Sequence, residues 1–169
     1  MGDTRVRVLG LDLSITATGV CLPDGSTYTV KTKQENGDER LLTIRHAVQS
    51  AVTAGVDLAV IEDLPTHAKG SGITAMVHGV VRTVLMGRGV PYVLLVPATL
   101  KAYATGKGNA DKSTMAVAAF KRAGREFADD NQCDAWWLWH AGLDRYGAAS
   151  FVLPAVQRAR LDKVEWPVI

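Results

Sequence analysis

Short apolar runs alternate along this chain with longer stretches of helical periodicity, and their order predicts a layout. Val6, Val8, Leu9, Leu11 and Leu13 make residues 5–14 a largely apolar strand. Residues 18–22 read as a second strand, Pro23-Asp24-Gly25-Ser26 as a turn, and residues 27–32 as an alternating third strand, which together form an antiparallel meander. A polar loop over 34–39 follows. Leu41, Ile44, Val48, Ala51 and Val52 then recur near helical spacing through 40–54, and Gly55 ends that helix. Residues 58–61 are a continuous apolar run of strand length, the pattern of a strand covered on both faces. It runs into Glu62-Asp63 and stops before Pro65.

Residues 67–72 are polar and read as flexible. A helix over 73–86 turns Met76, Val77, Val80, Val81, Val84 and Leu85 toward the core and ends at Gly87 and Gly89. Residues 90–96 form the next strand, and Pro97 opens a short helix where its missing N–H costs little. A glycine-rich loop at 105–109 leads to Asp111, a good N-cap for a helix over 112–123. Asp129 or Asp130 opens the last major helix, which runs to about Gly142; residues 146–169 have no clear period. Right-handed crossovers place the fourth and fifth strands parallel to the first. The expected fold is α/β, a mixed five-stranded sheet of three antiparallel and then two parallel strands with helices on both faces. Carboxylates at strand ends then gather along one edge.

The length of 169 residues suits one domain with a sizeable core. A net charge of +2 selects no partner, but its distribution is informative. Lys101, Lys107, Lys112, Lys121, Arg122 and Arg125 make one stretch basic, and Asp129, Asp130 and Asp134 follow at once. Such a pairing suits an enzyme that grips phosphates with one group and metal with the other, whereas the basic run alone could be a solvated helix face. Cys21 and Cys133 have no metal-binding spacing and make no disulfide framework, so a reducing cytoplasm, bacterial or phage-infected, is expected. There is no signal-peptide apolar region and no run of membrane-spanning length.

Charged residues in buried strands are rare unless paired or metal-bound. Asp12 ends the first strand, with Gly10 leaving room for close backbone approach. It is a metal ligand or a strand-end carboxylate bonded to its own loop. Glu62 ends the fourth strand, and Asp130 and Asp134, four apart, share a face of the last helix. If the first and fourth strands are neighbours, Asp12 and Glu62 can share a cation. Oxygen-rich sites of this kind suit Mg²⁺ or Mn²⁺, which offset the repulsion among the acids. Two such ions can activate water and stabilise the leaving oxygen of a phosphodiester.

Gly10-Leu11-Asp12-Leu13-Ser14 with Thr18-Gly19, and then Val60-Ile61-Glu62, resembles the ribonuclease H-like nuclease core. Pro97-Ala98-Thr99-Leu100-Lys101, followed by the 105–112 segment Thr-Gly-Lys-Gly-Asn-Ala-Asp-Lys, resembles the signature of RuvC-type Holliday junction resolvases, and Asn131-Gln132-Cys133-Asp134-Ala135 their final acidic helix. The resemblance runs from about Val6 to Gly142. It implies one ribonuclease H-like domain over 1–169, with its core at about 5–145 and an extension at 146–169. It also implies catalytic Mg²⁺, two ions per site, on Asp12, Glu62, Asp134 and a fourth acid. Lys101 and Lys112 would contact or neutralise the reacting phosphates, with Lys107 a further DNA contact. The family's spacing puts Asn131 at the fourth position; Asp130 is the choice here, ahead of Asp129. No Phe, Tyr or Trp occurs in residues 63–89, where the family's substrate-facing loop often carries a stacking aromatic. Trp136, Trp137 and Trp139 read as core packing, with one of them a candidate for an interface, and His140 as a packed or surface histidine.

The implied activity is a Mg²⁺-dependent structure-selective endonuclease acting in DNA recombination and repair. It would resolve Holliday junctions by paired nicks, as a homodimer matched to the junction's two-fold symmetry, with helix 73–86 a candidate dimer face. Three other readings stand beside it. They are a broader branched-DNA or flap nuclease, a non-catalytic junction-binding protein, and an actin-like phosphotransferase, whose second half 169 residues cannot supply.

Overall fold

A computed structural model describes residues 5–64 and 71–169. The strands are β1 (Val8–Asp12), β2 (Ala17–Cys21), β3 (Thr27–Lys31), β4 (Leu58–Glu62) and β5 (Tyr92–Leu95). They lie in the order β3-β2-β1-β4-β5, antiparallel among the first three in sequence and parallel at β1–β4 and β4–β5. The expected sheet is therefore present, and the two strands bearing Asp12 and Glu62 are neighbours.

Helices α1 (Glu39–Thr53) and α2 (Ser71–Gly87) cover one face. Leu9, Leu11, Ala59 and Ile61 of the sheet pack there with Ile44 and Val48 of α1 and Val77, Val81 and Leu85 of α2. Helices α3 (Pro97–Thr105), α4 (Lys112–Ala123) and α5 (Asp130–Arg145) cover the other. Val8, Leu58 and Val60 meet Leu100, Tyr103, Met115, Trp137 and Leu138 on that side. Alternation along a strand puts Gly10 and Asp12 on the same face as Val8, and Glu62 on that of Leu58 and Val60. Both acids thus face α5.

Several sequence expectations shift. Met76 is exposed rather than in the core, because the surface α2 buries is the narrower stripe through Val77, Val81, Val84 and Leu85. The polar loop contains a short 3₁₀ turn, Gln34–Asn36. The unassigned tail folds into α6 (Ala155–Arg158) and a 3₁₀ turn at Ala159–Lys163, and its Leu153 and Leu161 join the α5-side core. The polar stretch expected to be flexible at 67–72 lies mostly outside the described residues. Among those described, no helix is long and apolar enough to cross a membrane.

Candidate active site

Two glycines bring α5 onto the sheet. A Cβ on Gly10 would lie 2.1 Å from the Ala135 carbonyl oxygen, and one on Gly19 would lie 2.1 Å from that of Asn131. Only hydrogen fits at either place. Gly19 stands opposite Asp12 across the β1–β2 ladder, so the close approach at Asn131 and Ala135 brackets Asp134 beside Asp12. Gly142, farther along α5, rests on Val8 and Val60. The β1–β2 connection is tied down as well. Thr18 Oγ1 donates to the Ser14 carbonyl (2.7 Å), and Ser14 Oγ accepts from the Ala17 N–H (3.0 Å). The Asp-x-Ser…Thr-Gly sequence therefore builds a strand end, a tight connection and a landing strip for the helix.

The acids come into one another's fields. Burial raises the Asp12 pKa well above the usual carboxylate range, and Glu62, Asp134 and Asp130 push it further up. Glu62 is raised to about 7 by burial and by Asp134. Asp134 is raised to about 6 by burial and by Asp130. Lys112 opposes the shifts of Asp12 and Asp134, and Lys101 those of Glu62 and Asp134. Asp130 behaves differently: its bond to the Lys112 ammonium holds its pKa below the ordinary value. Lys112 starts α4, where Asp111 caps the helix by accepting from the Thr114 N–H (2.7 Å) and hydroxyl (2.6 Å). Trp137 Nε1 donates to the Met115 carbonyl (3.2 Å), fixing α4 against α5.

Of the acids that could be the fourth ligand, Asp130 shares the field of Asp12 and Asp134. Asp129 is committed elsewhere: it is the N-cap of α5, accepting from the Gln132 N–H (3.0 Å) and from Thr29 Oγ1 (2.7 Å). Asn131 is the residue whose carbonyl abuts β2. Lys107 is exposed and is not among the charges that shift the acids. Among the described residues, no three His, Cys, Asp or Glu side chains stand close enough to be a ready-made metal group. The donor set nevertheless has the chemistry of a hard divalent cation site: oxygen only, anionic, and repelling itself.

Sequence reasoning missed a buried network that joins α3 to α5. The Tyr103 hydroxyl lies 2.7 Å from His140 Nδ1 and 3.0 Å from Asp144 Oδ2, and Arg158 from the tail donates to both Asp144 oxygens. Gln157 Nε2 donates to the Tyr103 carbonyl (2.7 Å). These bonds seat α3, and with it Lys101. His140 is fully buried, stacked on Phe151 at 4.0 Å, and burial lowers its pKa to about 4. It is the packed histidine of the two alternatives. Trp136 and Trp137 are core residues, and Trp139 is half-buried beside Gly25.

No family model matches the chain. The crossover junction endodeoxyribonuclease RuvC of Nocardioides sp. (strain ATCC BAA-499 / JS614) is 31% identical over 123 residues, covering 65% of this chain and 70% of that protein. Thermus thermophilus RuvC superposes with a TM-score of 0.70 at 22% identity, over 85% of this chain and 98% of that one. The same protein in complex with Holliday junction substrate gives 0.71 at 23% identity, over 86% and 98%. The 31% identical Nocardioides protein, matched over 70% of its length, shows that the chain belongs to the RuvC family of crossover junction endodeoxyribonucleases.

Proposed function

We propose that this protein is a Mg²⁺-dependent structure-selective endonuclease that resolves Holliday junctions by paired nicks. One observation carries the reading: Asp12 and Glu62 end neighbouring parallel strands and both face α5, and Asp12 lies in the field of Glu62, Asp134 and Asp130, with Lys101 and Lys112 as the opposing charges of the group. Asp12, Glu62 and Asp134 would hold the cations, with Asp130 as the fourth acid. When bound, Mg²⁺, two ions per site with Mn²⁺ able to substitute, supplies activation of water and neutralisation of phosphate charge for phosphodiester hydrolysis.

The chain's own residues do the rest. Glycine-mediated seating of α5 fixes Asp134 relative to Asp12. Lys112, on the capped N-terminus of α4, and Lys101, on α3, screen the scissile phosphate and stabilise charge that develops on it. Lys107, exposed on the loop between them, contributes a backbone contact of the kind that weakens with salt. Two-fold symmetric cutting calls for two sites, hence a homodimer. The exposed Ile73, Met76 and Met86 of α2 support that helix as the dimer face.

Asp12→Asn and Asp134→Asn should each abolish cleavage of a four-way junction and leave junction binding nearly intact. Cleavage retained in either variant rejects the metal assignment. The absence of Phe, Tyr and Trp from residues 63–89 favours a second reading, a wider branched-DNA or flap specificity. Comparing cleavage of junctions, flaps and forks separates the two, since only symmetric paired nicks fit a dedicated resolvase.

A further inference from the structure

A groove of about 560 Å³ runs along α4, with Lys112 in its lining. Its lining includes Val117, Phe120, Phe127 and Cys133, with Arg125 beside Phe127. Residues 113, 116, 117 and 120 share one helix face, so the lining is a continuous strip. Val117 is 47% exposed and Phe120 56%. Phe120 stands out among the chain's aromatics. All four tryptophans, all four tyrosines and the other two phenylalanines are buried or half-buried, leaving Phe120 as the one exposed Phe, Tyr or Trp among the described residues.

We propose that this groove takes an unpaired nucleobase of the DNA strand being cut, stacked on Phe120. The inference rests on the nuclease reading above and assigns that site a base-binding pocket. Continuity favours this occupant. Lys112 and Asp130 line the groove and also belong to the acid cleft, so a strand whose phosphate sits at Lys112 leads directly into it. Eight residues of helix separate Lys112 from Phe120, a rise of about 12 Å, the scale of one nucleotide or its neighbour.

The charge pattern agrees. Asp130 on the rim is held by Lys112, and Asp129 is engaged as the α5 cap. Glu126, also in the lining, offsets the charge of the adjacent Arg125 and leaves the apolar wall to a neutral base. Arg125 is fixed behind the wall, donating to the Gly25 carbonyl (3.0 Å) with its guanidinium 5.4 Å from the Phe127 ring centre. The wall is thus braced before any ligand arrives. A π-face accepts any base, so the pocket would tolerate sequence while requiring that the base be unstacked.

The test uses four-way junctions carrying a fluorescent adenine analogue at successive positions around the nick, bound by the full chain without divalent ions. Wild type should change the fluorescence at one or two adjacent positions. Phe120→Ala should lose that change and cut roughly tenfold more slowly in Mg²⁺, and Phe120→Tyr should restore both. Phe120 is exposed, so thermal melts should show all three proteins folded alike. Identical fluorescence patterns and rates in wild type and Phe120→Ala overturn the pocket. So does an altered oligomeric state with the DNA signals unchanged, which would make the strip a protein contact. A wild type that cuts normally with no Phe120 effect removes the pocket alone, whereas a wild type that never cuts removes the nuclease reading beneath it.

Discussion

Asp12 is held where a carboxylate is uncomfortable: at the end of a buried strand, facing a helix that brings two more acids, with Glu62 alongside. A residue kept for stability would not be arranged this way, because Asn has the same shape without the repulsion. Asp12→Asn should therefore separate stability from function. In the absence of divalent ions at pH 8 it should stabilise the fold by about 1–3 kcal/mol, the range expected when an unfavourable active-site charge is removed. Urea unfolding measures the gain. A loss of stability would instead make Asp12 a structural residue.

Lys112 is the counterpart. It bonds Asp130 and lowers the proton affinity of Asp12 and Asp134. Lys112→Ala should weaken junction binding and slow cleavage, and the binding deficit should shrink as salt rises, because one phosphate contact fewer means a shallower salt dependence. A deficit independent of salt would detach Lys112 from the DNA.

At the scale of elements, α5 is the part on which the site depends, and its contacts with β1 and β2 are backbone against backbone. Alanine at Gly10 or Gly19 meets a carbonyl oxygen that cannot swing aside, so the helix must lift. Each substitution should cost about 2–4 kcal/mol and remove cleavage as well. Alanine at Gly142 meets the Val8 and Val60 methyls at 2.7 and 3.0 Å, which can rotate, and should cost less. Thermal melts of the three variants, with cleavage assays, check the ranking; equal costs would mean that α5 is not seated this way.

This dependence was only half legible in the sequence. Gly10 reads as a place for close approach because it interrupts an apolar strand two residues before an acid. Gly19, which approaches α5 just as closely, reads only as a residue of the second strand, since its partner Asn131 is far away in sequence. Crossover rules made β4 parallel to β1 but left their adjacency as a condition, which the observed strand order meets, whereas the start of α5 at Asp130, with Asp129 as its cap, needed a helix boundary that periodicity does not give. Met76 was misassigned because a 3.6-residue period locates the apolar stripe but not how much of it a neighbour covers. The Tyr103–Asp144–Arg158 network was hidden for another reason: the Arg158 that completes it comes from a tail with no period to read.

For the whole molecule, the acid cleft couples protons, cations and stability. Glu62 at about 7, Asp134 at about 6 and Asp12 well above its ordinary value all bind protons more tightly folded than unfolded. Their contribution to stability is greatest at low pH and is lost as pH rises from the unfolded carboxylate range, near 4, through those folded values. His140, lowered to about 4, and His78, also lowered, work in the opposite sense below the ordinary histidine value, so a bare pH profile mixes the two. Neither histidine is among the groups that perturb the acids, so the increment produced by Mg²⁺ isolates the cleft. A cation must displace the protons that Glu62 and Asp134 hold at pH 5 but finds those two carboxylates ionised at pH 8. Ligand binding stabilises in proportion to the logarithm of occupancy, so Mg²⁺ should raise the melting temperature several degrees at pH 8 and little at pH 5. The increment should vanish in a Glu62→Gln, Asp134→Asn double variant. An increment that is equal at both pH values, or that survives in the double variant, would place cation binding somewhere other than the cleft between β1, β4 and α5.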